Sequence, residues 1–400
     1  MAALPAQPFF TSPQQRAALA RERFFDQGER PTGLVSEAVI QSWSRCFAAR
    51  RDPGYAVSFD PVSRSHMHAT LERNQALLRA AGDEIARLEA ALGGTACRVL
   101  LTDANGVIVH ATAAPPGSSE ALLKLVSRVG INLGESQVGT NAPALVVKTR
   151  GPVTVLGSEH YFECVRSLHC AAAPIRDGRG RLAGVLDLTT EARPFAFDAS
   201  ALVGVYATVI ENRLLQATAG ADLVLQFQVC SSMLGTPLQA LAGIDSHGHL
   251  AWCNGTAQKL LGLSGEESAS VAAEQLFGVP LTQLLPRHAA KAMNQPFALR
   301  LPNGLTVWLR AQQGDPSATG AGGLAAVAPA AHEPRPAPEP IQATAPPAAD
   351  AAHPTLDQMA RDAVERALAD CDGNISRAAR TLGVSRGLLY RRLQRRSGGG

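Results

Sequence analysis

The spacing of apolar residues changes along the chain and predicts helices at both ends with antiparallel sheets between them. Residues 1–80 and 355–397 follow the 3.6-residue period of amphipathic helices. Residues 98–192 and 240–313 instead contain short apolar runs separated by turn sequences, which is typical of strands joined by hairpins. The pattern therefore predicts an α+β, multi-domain chain that ends in an all-α domain.

The N-terminal region contains one well-defined amphipathic helix, predicted to begin at residue 36. Its apolar stripe consists of Val39, Ile40, Trp43 and Phe47. The sequence Asp52-Pro53-Gly54 ends the helix, because proline cannot continue it and glycine favours a turn. A second helix is predicted from Met67 to Leu92 and leads into the strands.

Two turn sequences predict the hairpins of the first sheet. Asp103-Ala104-Asn105-Gly106 joins two apolar runs, and Asp177-Gly178-Arg179-Gly180 marks a second hairpin. Helices are predicted at residues 118–129 and 197–219. The apolar stripe of the second helix is explained equally well by packing on its own sheet and by pairing with another protomer.

A second sheet is predicted from residue 240 onward. The predicted order is strand, a turn at residues 245–249, strand, and a helix capped by Asn254. A later hairpin turns at Pro302-Asn303-Gly304, and residues 324–327 are predicted to form a final strand.

The C-terminal residues predict three helices, of which the last two are joined by a tight turn. The capping and turn residues are, in order, Thr355, Asn374, Gly383 and Ser385. Leu389 and Leu393, four residues apart, form the inward seam of the last helix and leave its opposite face exposed. This arrangement is a helix-turn-helix.

Positive charge is concentrated in this segment. Residues 374–396 contain seven arginines and no acidic residue, whereas the whole chain has a net charge of only +3. Such a one-sided surface favours nucleic-acid binding over a solvated helical bundle. With Leu389 facing inward, the residues predicted to contact DNA are Asn374, Arg377, Ser385, Arg386, Gly387, Tyr390, Arg391, Arg392 and Arg395. Arg386 is the first candidate for a guanine contact.

The same segment resembles the C-terminal DNA-binding domain of Fis-type regulators. The matching residues are Gly373, Asn374, Ala378, Ala379, Leu382, Gly383, Val384, Ser385, Arg386, Leu389, Tyr390, Arg391 and Leu393. Leu388 departs from the family, whose members usually carry a polar residue there. The resemblance implies double-stranded DNA as a partner. Because one such domain covers little DNA, we expect a homodimer on pseudo-palindromic sites.

Residues 36–218 resemble activators of the acetoin-catabolism and glycerol-metabolism type. Ser42-Trp43, Arg45-Cys46 and Asp52-Pro53 form the first shared segment. Four later segments match the GAF sensor domain of these activators: Gly139–Ala142, Glu159-His160, Cys170–Ile175 and Gly184–Leu188. The resemblance implies an N-terminal helical region at residues 1–80 and a GAF-like domain at residues 81–218. It also implies an unidentified small organic effector in a pocket beside the sheet.

The order of elements predicted after residue 220 resembles a PAS domain, placed at residues 220–328. Residues 329–354 contain eight prolines and nine alanines and are predicted to form a disordered or polyproline-like linker. The helix-turn-helix domain then occupies residues 355–397.

Relatives with this arrangement carry an ATPase module between the sensor domains and the DNA-binding domain. Such a module needs the sequence G-x-x-x-x-G-K-[ST], whose lysine binds phosphate. The four lysines of the chain, at positions 124, 148, 259 and 291, are never preceded by glycine. We therefore expect these residues not to hydrolyse ATP.

One group of potentially reactive residues stands out: His160, Cys164, His169 and Cys170. It could form a metal or haem site, or a Cys–His nucleophile pair. The spacing fits no zinc pattern, and Cys170 falls within a predicted buried strand, so structural roles are expected. The seven cysteines are scattered and contain no C-x-x-C pair, which argues against disulfides and zinc ribbons. No catalytic residue, metal or cofactor is assigned.

The composition is that of a globular chain, with 46% hydrophobic and 18% charged residues. No long apolar run or N-terminal signal sequence is present, so we expect a cytoplasmic protein without a membrane partner. The favoured function is a ligand-responsive, sequence-specific bacterial transcriptional regulator rather than an enzyme. The alternatives are a redox, metal or haem sensing regulator and an architectural DNA-binding protein.

Overall fold

A computed structural model describes the chain in five stretches: residues 12–113, 120–218, 220–263, 271–284 and 295–313. In the C-terminal part it describes residues 369, 371, 374 and 377. The chain divides into two compact units, Met1–Ala326 and Val327–Gly400. All helices and strands defined below belong to the first unit.

The helices are α1 (Pro13–Arg21), α2 (Glu37–Ala48), α3 (Arg64–Arg73), α4 (Gln75–Ala91), α5 (Ala121–Val126), α6 (Glu135–Val138), α7 (Ala142–Thr149), α8 (Ala199–Thr218), α9 (Gly255–Leu261), α10 (Ala273–Phe277) and α11 (Leu281–Leu284). The strands are β1 (Arg98–Asp103), β2 (Ile108–Ala111), β3 (Val153–Leu156), β4 (Leu168–Arg176), β5 (Leu182–Glu191), β6 (Leu223–Gln228), β7 (Ala240–Ile244), β8 (Leu250–Cys253), β9 (Phe297–Arg300) and β10 (Thr306–Gln313).

The first sheet has five antiparallel strands in the order β2-β1-β5-β4-β3. β1 and β2 form the first predicted hairpin, in which Asp103 Oδ1 accepts hydrogen bonds from the backbone N–H groups of Asn105 and Val107. β4 and β5 form the second predicted hairpin. Both hairpin predictions are confirmed. In each turn an aspartate carboxylate accepts hydrogen bonds from nearby backbone N–H groups, which fixes the turn locally.

Apolar side chains cover both faces of this sheet, because neighbouring residues on a strand point to opposite sides. Val185 of β5 packs in the core that contains residues from α2 and α7. Leu186, the next residue, packs in the core formed with α4 and α8. The sheet is therefore the middle layer of three.

The N-terminal helices pack on this sheet. Val39 and Trp43 of α2 are buried in the same core as residues of β1 and β4. Cys46 completes this buried stripe, whereas Phe47 is 60% exposed. The prediction that Phe47 faces the core is wrong, because the spacing of 39, 43 and 46 places the stripe one residue earlier.

The structure contains two helices where one was predicted from Met67 to Leu92. The prediction of a single continuous helix is therefore wrong. α3 ends and α4 begins at Asn74. The Asn74 side chain donates a hydrogen bond of 2.8 Å to the carbonyl oxygen of Thr70, which is an alternative to continuing the helix.

The second sheet is also antiparallel, with strands in the order β8-β7-β6-β10-β9. Helices α9, α10 and α11 cover one face. Asn254 caps α9 as predicted, since its Oδ1 accepts a hydrogen bond of 2.8 Å from the Ala257 N–H group. The central strand β6 had not been predicted. Its buried residues Leu223, Leu225 and Phe227 alternate with Val224, Gln226 and Gln228, and the two glutamines make side-chain hydrogen bonds.

Helix α8 links the two sheets through buried polar contacts. Glu211 accepts hydrogen bonds of 2.9 Å from the backbone N–H groups of Arg176, at the end of β4, and Gly255, at the start of α9. Asn254 donates a hydrogen bond of 2.7 Å to Asn212 Oδ1. The end of β4, the middle of α8 and the start of α9 are therefore held together.

In the second unit, Asn374 forms the predicted helix cap. The Arg377 N–H group lies 3.2 Å from Asn374 Oδ1 and 3.0 Å from the Asn374 carbonyl oxygen. The predicted linker, the strand at 324–327 and the DNA-contact residues from Ser385 to Arg395 lie outside the described residues. Within the described ranges, no helix is long and apolar enough to cross a bilayer.

Candidate functional site

A small cavity lies against the face of the first sheet that carries the N-terminal helices. Its volume is about 20 Å³, enough for roughly one water molecule. The apolar lining consists of Phe59, Leu100, Val126, Leu133, Val138, Pro143, Val165 and Leu168. The polar lining consists of Asn141, His160, Cys170, Asp187 and Thr189.

Four segments that are far apart in sequence meet at this cavity. Asn141, His160, Cys170 and Asp187 each come from one of the four segments that carry the resemblance described above. Asn141 caps α7, His160 follows β3, Cys170 lies on β4 and Asp187 lies on β5. The four segments that carry the resemblance therefore each contribute a residue to one cavity.

Asn141 holds the cavity wall, and both hydrogens of its amide group are used within the protein. Its Oδ1 accepts a hydrogen bond from the Ala144 N–H group, and its Nδ2 donates to the carbonyl oxygens of Leu133 and Gly139. Gly139 has a φ of +68°, and a Cβ atom there would lie 2.9 Å from the Phe162 ring. Gly139 therefore allows this turn to pack against the segment that contains His160.

The other polar residues form a continuous row. Asp187 Oδ2 lies 2.5 Å from Thr189 Oγ1, and Thr189 Oγ1 lies 3.4 Å from Cys170 Sγ. Cys170 Sγ lies 3.7 Å from His160 Nε2, and His160 Nδ1 lies 3.0 Å from the carbonyl oxygen of Gly157. The row runs from the central strand β5, across β4, to the loop after β3.

The His160–Cys170 pair is electrically neutral. Burial lowers the pKa of His160 to about 4 and raises the pKa of the Cys170 thiol well above its usual value. His160 Nδ1 must carry the proton, because the carbonyl oxygen of Gly157 can only accept a hydrogen bond. A nucleophilic pair requires a thiolate, which this environment disfavours.

Asp187 is the least satisfied polar group of the row. The residue is 1% exposed, and its Oδ1 has no hydrogen-bond partner among the described residues. Burial raises the pKa of its carboxyl group to about 7. A buried polar atom without a partner costs about 1–3 kcal/mol, so Oδ1 is a candidate binding point for a molecule in the cavity.

The structure does not bring the four potentially reactive residues together in one group. His160 and Cys170 are adjacent, as stated above. Cys164 is exposed, and its Sγ lies 3.7 Å from the carbonyl oxygen of Tyr55. His169 precedes Cys170 on β4 and so belongs to the opposite side of the strand. Across the described ranges, no three His, Cys, Asp or Glu side chains are grouped to hold a metal ion.

The segment that contains His160 is held from outside by the N-terminal helices. Arg21 at the end of α1 donates hydrogen bonds of 2.7 Å to the carbonyl oxygens of His160 and Tyr161. Trp43 Nε1 donates a hydrogen bond of 2.8 Å to the carbonyl oxygen of Glu159. Residues from α1 and α2 therefore bind three successive backbone carbonyl groups, of which that of His160 belongs to a residue that lines the cavity.

Sequence reasoning had assigned no pocket residue, and it missed Asp187 and Thr189. The sequence contained one signal, because Asp187 lies within the apolar run Val185–Leu188. An acidic side chain in such a run is expected to be buried, at a position that an apolar residue would otherwise occupy.

Comparison with known proteins gives two family matches. Residues 355–395 match the family described as bacterial regulatory protein, Fis family. Residues 12–211, half of the chain, match the family described as MimR, N-terminal domain. The chain belongs to the MimR N-terminal-domain family.

The relatives are named as regulators of transcription. The chain is 30% identical over 202 residues to the propane 2-monooxygenase operon transcriptional activator MimR of Mycolicibacterium smegmatis, covering 50% of this chain and 33% of that protein. It is 29% identical over 262 residues to the acetoin catabolism regulatory protein of Cupriavidus necator, covering 63% and 39%. The chain thus spans less than half the length of these relatives. In the Escherichia coli DhaR(N)–DhaL complex, one chain aligns with a TM-score of 0.42 and 16% identity, over 70% of this chain and 100% of that chain.

Proposed function

We propose that this protein is a ligand-responsive, sequence-specific DNA-binding transcriptional regulator that acts in the bacterial cytoplasm. The observation that carries the proposal is the convergence of four distant segments on one enclosed cavity, in a chain that also matches a Fis-family regulatory domain. The names of the relatives support a role in transcription. An unidentified small organic effector is the expected occupant of the cavity.

The proposed domain organisation follows the sequence boundaries. It consists of an N-terminal helical region (1–80), a GAF-like sensor (81–218), a PAS-like domain (220–328), a linker (329–354) and a Fis-type helix-turn-helix domain (355–397). The antiparallel sheets at 98–191 and 223–313 support the two middle assignments.

DNA recognition is assigned to the C-terminal domain of a homodimer. Arg386 and Arg391 read base edges, and Gly387 lets the helix approach the groove. Ser385 lies with Arg386 in the first turn, which enters the major groove. The remaining contacts, from Asn374, Arg377, Tyr390, Arg392 and Arg395, position the helix on the phosphate backbone. The cap that Asn374 forms at Arg377 supports the start of this helical pair.

The cavity is connected to the second sheet by a short structural route. Cys170 lies on β4, and the same strand ends at Arg176, whose N–H group binds Glu211 of α8. Glu211 in turn accepts a hydrogen bond from Gly255 at the start of α9. An effector that moves β4 would therefore also displace the contact between the two sheets.

The decisive experiment starts by selecting bound DNA fragments with the purified full chain. The DNA affinity is then measured by fluorescence anisotropy with and without candidate alcohols, ketones, diols and aromatics. We expect one chemical class to change the Kd for the selected site and to leave non-specific binding unchanged. If the protein binds the selected site specifically but no compound changes the Kd, the protein would be a regulator without an effector. This result would contradict the proposal.

A further inference from the structure

The contact between the two sheets is centred on one buried side chain, the carboxyl group of Glu211 in α8, which is 4% exposed. Its Oε2 accepts a hydrogen bond of 2.9 Å from the Arg176 N–H group at the end of β4. Its Oε1 accepts a second, also of 2.9 Å, from the Gly255 N–H group at the start of α9. One carboxyl group therefore joins the first sheet to the helix that follows β8 of the second sheet.

Helix α8 packs in the cores of both sheets. Ile210 and Leu214 lie in the core that α8 and α4 form with the first sheet. Leu215, the next residue, packs instead with Leu241 of β7 and Trp252 of β8. The helix therefore passes from one core to the other near its C-terminal end, and its carboxyl group lies where the two cores meet.

A second polar contact lies directly beside the first. Asn212, the residue after Glu211, accepts a hydrogen bond of 2.7 Å from the Asn254 side chain and donates one of 3.0 Å to the carbonyl oxygen of Pro237. The turn between β4 and β5 also reaches α9, because a Cβ atom at Gly180 would lie 3.2 Å from Gln258 Nε2. The two sheets are thus in close contact around this point of α8.

The Arg176 side chain brings a further element of the first sheet's layer to the same place. Its guanidinium donates a hydrogen bond to the carbonyl oxygen of Arg150, the residue that caps the C-terminal end of α7. Arg176 Nη1 lies 3.8 Å from Glu211 Oε2, and the guanidinium is partly exposed, so this ion pair contributes little. The two backbone hydrogen bonds are therefore the main link, and α7 is attached to it through Arg176.

We propose that Glu211 is a positioning residue that couples the two sheets, so that a change in the first sheet reaches the second through these two hydrogen bonds. The role depends on a side chain that accepts from two backbone N–H groups at once. Glutamine has the same shape but only one oxygen, and its NH2 group cannot accept, so one of the two bonds would be lost. This coupling does not depend on the proposed function, because it involves neither a ligand nor DNA.

A double-mutant cycle followed by hydrogen exchange tests the coupling in the full chain. Val99→Ala removes two buried methyl groups from β1, two strands away from the end of β4. Mass spectrometry then measures exchange in peptides from β1 and in peptides from residues 240–261, which contain β7, β8 and α9. With Glu211 present, we expect Val99→Ala to raise exchange in both regions by about fivefold or more, because coupled segments open together.

Glu211→Gln should separate the two responses. In this background Val99→Ala should still raise exchange in β1 by about fivefold or more, but in residues 240–261 by less than about twofold. Glu211→Asp keeps the carboxyl group but is too short to reach both N–H groups, so it should behave in the same way. A residue that only stabilises the fold would instead raise exchange in both regions and leave their joint response intact.

Two control variants should preserve the joint response. Glu89→Gln makes the same chemical change at an exposed position of α4. Arg176→Met removes the guanidinium but keeps the backbone N–H group that bonds Glu211. Loss of the joint response in either variant would contradict the assignment of the link to the two backbone hydrogen bonds of Glu211.

Three further results would overturn the proposal. The first is an equal response of residues 240–261 to Val99→Ala with Glu211 and with Glu211→Gln. The second is the absence of that response in the protein with Glu211, since the two sheets would then be independent. The third is failure of both Glu211→Gln and Glu211→Asp to fold, which would show that Glu211 supports the fold as a whole. DNA affinity and its response to effectors are measured separately, so none of these results decides the proposed function.

Discussion

The Arg21 guanidinium donates a hydrogen bond of 2.7 Å to the backbone carbonyl oxygen of His160, whose imidazole lines the cavity. These residues are 139 positions apart in sequence, and Arg21 is itself buried. The first helix therefore contacts the backbone of a residue whose side chain lines the cavity. Through this contact, the N-terminal helices form part of the structure that surrounds the site.

Replacing Arg21 should destabilise the first unit. Arg21→Ala leaves two buried carbonyl oxygens without their charged donor, so we expect a loss of about 1–3 kcal/mol in the free energy of unfolding. Urea unfolding followed by tryptophan fluorescence measures the change. The exposed Arg79→Ala in α4 is the control and should stay within about 0.5 kcal/mol of the unmodified protein. Equal midpoints for the two variants would show that the Arg21 contact does not support the fold.

The buried carboxyl of Asp187 should give stability a measurable pH dependence. Its pKa is raised from 3.8 to about 7, so the folded state binds the proton more tightly than the unfolded state. Its contribution to stability is therefore complete below about pH 4 and is lost as the pH rises to about 7.

Asp187→Asn removes this titration and provides the comparison. The stability of the variant minus that of the unmodified protein should increase between pH 4 and 7, with a slope of at most about 1.4 kcal/mol per pH unit. His160 acts in the opposite direction, because its pKa is lowered to about 4, but it is present in both proteins. Urea midpoints at pH 5, 6 and 7 measure the difference. Parallel curves would contradict a protonated Asp187.

Two arginines of the C-terminal helix should show different DNA-binding defects. Arg386→Ala removes a predicted base contact, so it should cost about 1–3 kcal/mol on the specific site and relax the preference at one base pair. Arg395→Ala removes a predicted phosphate contact, so it should weaken all sequences alike and lower the salt slope by about 1. Anisotropy titrations at several salt concentrations measure both. An altered salt slope with equal losses on specific and non-specific DNA would move Arg386 to the phosphate contacts.

The protein should bind its DNA as a homodimer. Two recognition helices must be presented about 34 Å apart to read successive major grooves of a pseudo-palindrome. Sedimentation velocity at micromolar concentration should therefore give a dimer, with two chains on each complete site. A monomer that binds a half-site with 1:1 stoichiometry would count decisively against this prediction.

Local signals in the sequence predicted local structure well. The turns at Asp103 and Asp177 and the cap at Asn254 depend on hydrogen bonds within a few residues, and the structure contains each of them. The errors came where distant packing decides. The stripe of α2 includes Cys46 and leaves Phe47 60% exposed, and the inner face of β6 is formed by Leu223, Leu225 and Phe227, which pack with residues of other strands and helices.

The cavity itself could not be predicted from spacing. Asp187 and His160 are far apart in the chain and share one polar row only because β4 and β5 pair in a single register. The resemblance to known activators marked the segments, but it did not show which of their side chains face one another. Neighbouring residues on β4 point to opposite sides of the sheet, so His169 points away from Cys170. Counting histidines and cysteines in the sequence does not reveal this difference.

The central claim is that occupancy of the cavity controls DNA binding, and one measurement tests it most directly. The Kd for the selected DNA site is determined with and without a cavity ligand, for the unmodified protein and for Val138→Phe, which fills the space from α6. We predict that the ligand changes the Kd of the unmodified protein at least fivefold and that of Val138→Phe less than twofold. A ligand that demonstrably binds the cavity but leaves the Kd of the unmodified protein unchanged would contradict the account.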